Sequence, residues 1–148
     1  MTEEKVTEIL KYIEDNINNS IKIDEIANYF HFDRSYLSRS FKKITDISLI
    51  DYINERKIIK SIYYVVNTDE KMLKVALISG FNSLEYFSET FYRITNFSPT
   101  SLRDNTLING ILPFNDKISI ESLKENHSKI LEIRKLYKPK TKTFGIYR

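Results

Sequence analysis

The chain of 148 residues contains no cysteine and only two histidines, His31 and His127. The absence of cysteine excludes disulfide bonds and thiolate chemistry. Two histidines alone would need carboxylates at unusual spacing to complete a transition-metal site. We therefore expect neither a metal ion nor another cofactor.

The sequence also lacks long apolar segments and targeting signals. It has no run of about eighteen apolar residues, no signal-like start and no lipidation motif at either end. Its length suits one domain with a modest core and an appendage. These features predict a soluble cytoplasmic protein without a membrane partner.

The chain contains only three glycines. This scarcity matters for whether the chain could form a catalytic pocket. Glu85 and Glu89 have the i,i+4 spacing that a pair of catalytic acids could use. No pocket-forming glycines and no nucleophile surround them in the sequence. We expect no enzymatic activity.

What the chain does contain is an internal repeat. Segment 26–32 matches segment 75–81 at an offset of 49 residues, with alanines and phenylalanines in register. After one inserted residue, segment 35–48 matches segment 85–98 at an offset of 50. A period of about fifty residues is typical of a repeated supersecondary unit.

Each copy predicts a helix, a tight turn and a second helix, because a short apolar-periodic run is interrupted once and a second run follows. In the second copy Gly80 suits the left-handed turn, and Asn82 or Ser83 can cap the next helix. The first copy has no glycine there, so His31 must adopt the turn conformation at some cost. A helix-turn-helix presents its second helix to the major groove of DNA.

The residues of the repeat resemble a known family. They are Ile23-Asp24-Glu25-Ile26-Ala27, the run from Ser35 to Lys43, Val75-Ala76, Gly80-Phe81, Tyr86-Phe87-Ser88, Phe91 and Ser98-Pro99. In order and spacing they resemble the DNA-binding domain of the AraC/XylS family over roughly residues 5–104. The resemblance implies an all-α fold of seven helices, in which a long linker helix joins two helix-turn-helix subdomains. It also implies transcriptional regulation through promoter DNA.

Apolar periodicity and capping residues predict where these helices lie. We expect a helix from Thr2 to Asn18, a short one after Asp24, others over about 33–43, 49–66, 70–79 and 84–94, and a last one from Pro99. Ser48 caps the linker helix, whose apolar stripes lie on two flanks. Asp46 and Asn96 stand where the family usually has glycine, and both residue types tolerate a left-handed backbone.

The first recognition helix, about 33–43, carries residues suited to DNA. Leu37 and Phe41 are predicted to be buried, so the polar side chains point away from the core. Arginine suits the bidentate contact with guanine N7 and O6, and serine hydroxyls bind base edges. The candidates for base reading, at the positions that the family uses, are Ser35, Ser38 and Arg39. The candidates for phosphate contact are Arg34, Lys42 and Lys43.

The second recognition helix, about 84–94, differs in charge. Its base-reading candidates are Leu84, Glu85, Ser88 and Glu89, and its phosphate candidates are Thr90, Tyr92 and Arg93. The position of Glu89 is commonly arginine in the family, and a glutamate accepts from cytosine N4 but repels phosphates. Either this helix reads DNA, or it is structural and only the first recognition helix binds. Tyr12, Tyr36 and Tyr86 are expected to pack as core partners of aliphatic side chains.

Residues 105–148 form a basic extension of uncertain structure after the domain at 1–104. The extension holds nine Lys and Arg against four Asp and Glu, whereas the domain holds fourteen against sixteen. A turn over about 107–113, an amphipathic helix over about 121–137 and a single strand over 141–148 are expected in it. A lone strand cannot satisfy its own backbone, so it needs a partner or a further domain.

The sequence therefore predicts a regulator that inserts one or two recognition helices into the major grooves of promoter DNA. The alternative is a protein-interaction module that acts on RNA polymerase or another regulator through its basic tail. In that alternative the second helix-turn-helix reads DNA weakly or not at all. Double-stranded DNA is the expected partner, with RNA polymerase as a further candidate.

Overall fold

The computed structural model describes residues 1–137, which form eight α-helices and one short 3₁₀ helix. The helices are α1 (Glu3–Asn16), α2 (Ile23–Phe30), α3 (Arg34–Thr45), α4 (Leu49–Asn67), α5 (Met72–Ile78), α6 (Leu84–Thr95), α7 (Pro99–Arg103) and α8 (Ile120–Leu136). The 3₁₀ helix, Thr106–Gly110, lies between α7 and α8. No strand occurs within residues 1–137, and the all-α class is confirmed. The strand expected over 141–148 lies outside the described residues.

Six of the eight described α-helices begin where a short polar side chain caps them. The Thr2 hydroxyl accepts a hydrogen bond from the Lys5 N–H at 3.0 Å, and the Ser48 hydroxyl accepts one from the Asp51 N–H at 3.2 Å. These caps confirm the predicted starts of α1 and α4. Helix α2 begins earlier than expected, at Ile23, because a first-turn glutamate accepts a hydrogen bond from the backbone before the helix.

Left-handed residues follow four of the helices and shape the turns after them. They are His31 (φ 60°), Asp46 (φ 66°), Gly80 (φ 94°) and Asn96 (φ 69°). All four were expected in this conformation. A Cβ on Gly80 would lie 2.5 Å from the carbonyl oxygen of Ile17, just after α1. Glycine is therefore required both by the turn and by the close approach of the second subdomain to the first.

Two hydrophobic cores divide the molecule into two helix-turn-helix subdomains. The first core is built by α1, α2, α3 and the first half of α4, and the second by the rest of α4 with α5, α6 and α7. Ile53 of α4 is buried in the first core, while Ile58 and Ile62 are buried in the second. Helix α4 is thus the linker helix that its two apolar flanks predicted.

The segment after residue 104 packs onto both subdomains. Leu123 of α8 is buried in the first core, and Ile130 and Ile133 are buried in the second. The amphipathic helix expected over about 121–137 is present, and the described part of the extension belongs to the same folded body. No helix in residues 1–137 is long and apolar enough to cross a membrane.

Candidate nucleic-acid interface

The packing of α3 determines which of its side chains face outward. Leu37 and Phe41 are fully buried in the first core. Because a helix repeats every 3.6 residues, the opposite face is left to solvent. That face carries exposed Ser35 and Arg39, with half-buried Ser38 beside them. The structure thus brings together the three base-reading candidates of the first recognition helix.

Cationic side chains lie at both ends of α3. Lys42 and Lys43 are exposed in its last turn. At the other end, the Arg34 Nη1 atom is 3.0 Å from an Asp24 carboxylate oxygen, and both side chains are more than half exposed. An exposed ion pair of this kind contributes little to the free energy of folding in water. The Arg34 guanidinium can therefore leave Asp24 and bind a phosphate at a small cost in free energy.

Helix α6 buries the corresponding residues in the second subdomain, so its outward face corresponds to that of α3. Phe87 and Phe91 are fully buried, as are their counterparts in α3. The outward residues are the exposed Leu84, Glu85 and Glu89 and the half-buried Ser88. The four base-reading candidates of the second recognition helix therefore share one face, on which two carboxylates lie one turn apart.

The structure corrects the expectation for Thr90. Its side chain is 1% exposed, and its hydroxyl has no hydrogen-bond partner among the described residues. Thr90 precedes Phe91 on the inner flank of α6, so the hydroxyl cannot reach a phosphate. Its counterpart Ser40 in α3 is only half buried. Tyr92 and Arg93 are exposed and remain the phosphate candidates of this helix.

The expectation for two tyrosines is also wrong. Tyr36 and Tyr86 are 38% and 49% exposed, although their rings lie against Phe32 and Phe81 at centroid distances of 5.5 and 5.8 Å. Each precedes the buried residue of its helix by one position, so it cannot share that residue's face. This position, one residue before a buried side chain, could have predicted from the sequence that both tyrosines lie at the edges of the outward faces.

The two recognition helices differ in charge. Helix α3 contains four cationic residues and no acidic one, whereas α6 contains two glutamates and one arginine. A polyanion is therefore attracted to the outward face of α3 and is not attracted to that of α6.

The chain is similar in sequence to known proteins. Residues 26–105 match the family described as a helix-turn-helix domain. The HTH-type transcriptional activator AarP of Providencia stuartii is 30% identical over 77% of this chain and 85% of its own length. The chain belongs to the AraC/XylS family of helix-turn-helix transcriptional regulators.

Solved structures of AraC-type domains have the same fold. A transcriptional regulator with an AraC-type DNA-binding domain from Chromobacterium violaceum is 28% identical, with a TM-score of 0.61 over 68% of this chain and 89% of its own. The DNA-binding domain of AdpA, solved in complex with a target DNA, is 17% identical, with a TM-score of 0.61 over 66% and 88% of the two chains. In this AraC/XylS protein the two helix-turn-helix units are α2–α3 and α5–α6. Helix α8 lies beyond the region that matches the family.

Proposed function

We propose that this AraC/XylS protein recognises a specific DNA sequence chiefly through α3. The observation that carries the proposal is the outward face of that helix, where Arg39 is exposed beside Ser35 and Ser38. Arg39 would bind guanine N7 and O6, and the serines would bind neighbouring base edges. The exposed Arg34, Lys42 and Lys43 would neutralise phosphates and fix the register of the helix.

Helix α6 would enter the following groove with a different role. Its outward carboxylates, Glu85 and Glu89, are suited to accept hydrogen bonds from cytosine N4, while Tyr92 and Arg93 would contact phosphates. Because carboxylates repel the backbone, α6 would contribute discrimination and little affinity. A site read by both helices has two half-sites about 10 base pairs apart, centre to centre.

The basic excess of the extension lies after α8. Residues 105–137 hold five Lys and Arg against four Asp and Glu, whereas residues 138–148 hold four against none. The last described residue, Tyr137, lies against Phe97, just after α6, with ring centroids 6.1 Å apart. The basic residues follow Tyr137 in the chain, and we assign them a sequence-independent contact with phosphates.

The proposed role is regulatory and not enzymatic. Glu85 and Glu89 lie on an open helix face, where a pair of acids has no enclosed site in which to hold a substrate. Since a bacterial chromosome lies in the cytoplasm, that is where such a regulator would act.

A second candidate function is favoured by the acidic face of α6. If Glu85 and Glu89 keep α6 away from phosphates, the second subdomain is left for a protein, and RNA polymerase or another regulator is the candidate. In that case α3 alone binds DNA or DNA reading is lost.

Selection from a random duplex library with the purified chain tests the proposal. We expect one enriched motif, and fluorescence anisotropy should give a preference of about a thousandfold or more for it over a scrambled duplex. Equal affinities for the two duplexes would contradict specific reading. Binding of purified RNA polymerase under the same conditions would then support the second candidate.

A further inference from the structure

Helix α8 contributes to both subdomains. Among the described helices, only α4 and α8 place buried side chains in both hydrophobic cores. Leu123 lies in the first core, and Ile130 and Ile133, about two and three turns further along, lie in the second. Any rotation of one subdomain against the other would have to pull one end of α8 out of its core.

A polar contact ties the middle of α8 to the linker helix. The Nδ1 atom of His127 is 2.8 Å from a carboxylate oxygen of Glu55. Glu55 is only 7% exposed and lies where α4 passes from the first core to the second. Burial raises the pKa of the Glu55 carboxyl, and the hydrogen bond with His127 opposes that rise. Among residues 1–137, the contact therefore satisfies a carboxyl that would otherwise be buried without a partner.

The end of α8 touches the main chain of the second recognition helix. Arg134 Nη1 donates to the carbonyl oxygens of Arg93 at 2.7 Å and Ile94 at 2.9 Å, in the last turn of α6. The last carbonyls of a helix lack partners within the helix and carry the negative end of its dipole, so a guanidinium stabilises them. Helix α3 has no arginine at this place among its described contacts. At the end of α3, α8 instead places the Lys124 ammonium 3.9 Å from the Asp46 carboxylate.

From these contacts we infer that α8 fixes α6 relative to α3, so that the protein binds two half-sites at one separation only. The inference rests on the proposed function, because it requires both recognition helices to meet DNA. Arg134 and His127 are positioning residues, since they contact α6 and α4. Other links between the subdomains remain without them, among them α4 itself, the buried apolar side chains of α8 and the hydrogen bond from Asn82 to Ser20 at 3.0 Å. Replacing the two residues should loosen the arrangement without unfolding it.

The spacing of half-sites reports directly on such rigidity. One helical turn of DNA takes about 10–10.5 base pairs, so each inserted pair turns the second half-site by about a tenth of a turn. A rigid protein cannot follow this rotation and loses the gain from binding two sites at once. A loosened protein keeps more of that gain.

The experiment compares four proteins on one series of duplexes. The proteins are the wild-type chain, the double variant His127→Ala/Arg134→Ala, Arg134→Lys and Ser128→Ala, the last altering an exposed residue of α8. The duplexes carry the selected site with zero, one, two or five base pairs inserted between its halves, and the isolated α3 half-site. Anisotropy measures affinity, and thermal unfolding confirms that each protein is folded.

We expect the wild-type chain and Ser128→Ala to lose about tenfold or more in affinity when one or two base pairs are inserted. The double variant should lose about threefold or less, and Arg134→Lys, which keeps a cationic donor, should fall between them. All four should bind the isolated α3 half-site equally. A general loss of structure would instead weaken binding to every duplex.

An unchanged spacing dependence in the double variant would show that His127 and Arg134 do not position α6, and would overturn the positioning role assigned to them. Equally tight binding of the wild-type chain at every spacing would also overturn the inference. The proposed function would stand in that case if the wild-type chain still showed a preference for the α3 half-site over a scrambled duplex. Loss of that preference in the wild-type chain would mark failure of the proposed function itself.

Discussion

The Arg56 guanidinium binds the Glu14 carboxylate through two contacts, Nε to Oε1 at 2.7 Å and Nη2 to Oε2 at 3.3 Å. The pair joins the linker helix α4 to α1, and the Lys60 ammonium lies 3.4 Å from the same carboxylate. The side chains of Arg56 and Glu14 are only 11% and 21% exposed. Partial shielding from water makes this ion pair stronger than one on the open surface.

Acid should weaken the molecule through Glu14. Burial alone raises the pKa of Glu14, but the hydrogen bond and charge of Arg56 and the charge of Lys60 outweigh burial and hold the pKa below its usual value of 4.5. A pKa that folding lowers gives stability that is present above the usual value and lost as pH falls through the lowered one. Glu14→Gln should lower the free energy of unfolding by about 1–2 kcal/mol at neutral pH.

Urea unfolding at neutral pH and at about pH 3 measures this effect, and the difference between wild type and Glu14→Gln should shrink in acid. Glu8→Gln is the control, because Glu8 pairs with Lys5 on the exposed side of α1. It should change stability little at either pH. The same difference between wild type and Glu14→Gln at both pH values would contradict the role given to Glu14.

Thr90→Val tests the correction made for that residue. A buried hydroxyl without a partner costs free energy, so a methyl group of the same size should leave stability unchanged or raise it by about 1 kcal/mol. DNA affinity should not change. Thr95→Val is a matched control, because the buried Thr95 hydroxyl donates to the Phe91 carbonyl at 2.8 Å. It should destabilise by about 1 kcal/mol. Weaker DNA binding by Thr90→Val would restore a phosphate contact to Thr90.

The local features of the fold could be predicted from the sequence. Ser48 caps α4, and His31, Asp46 and Asn96 take the left-handed conformation, because both properties depend on a few neighbouring residues. The outward face of α3 could also be predicted, because the spacing of its buried residues is a local property of the sequence.

Long-range packing could not be predicted in the same way. The apolar stripe of α8 indicates a helix, but it does not say that Leu123 joins one core and Ile130 the other. The contact of Arg134 with the end of α6 and the burial of Thr90 likewise depend on how separate elements pack. An amphipathic period reveals that a face is buried and leaves its partner undefined.

Glu89→Arg tests whether α6 approaches DNA. Removing a carboxylate and adding a cation near phosphates should tighten binding to nonspecific duplex by about threefold or more at low salt, and the gain should fade as salt rises. On the selected site, loss of affinity would mean that Glu89 reads a cytosine, and a gain would mean that it does not. Glu8→Arg on the exposed side of α1 makes the same charge change outside both recognition helices. No effect of Glu89→Arg on either duplex would show that α6 stays out of the groove.

The basic residues after α8 should contribute to the salt dependence of binding. Replacing Lys138, Lys140, Lys142 and Arg148 by glutamine keeps the chain length and removes the charge. The slope of log affinity against log salt should become shallower by about 0.9 for each phosphate that the segment no longer neutralises, with the preference for the selected site preserved. A chain shortened after Tyr137 should behave alike. An unchanged slope in both variants would point to a protein partner for this segment.

The central claim is that α3 reads the sequence, and the affinity of Arg39→Ala for selected and random duplexes tests it most directly. Losing the guanine contact should cost about 1–3 kcal/mol on the selected site and relax the preference at one base pair, with little change on random DNA. Lys42→Ala is the matched control, and it should weaken both duplexes alike and reduce the salt slope. A loss confined to the selected site is the predicted result for Arg39→Ala, and equal losses on both duplexes would contradict the assignment of α3 as the sequence-reading helix.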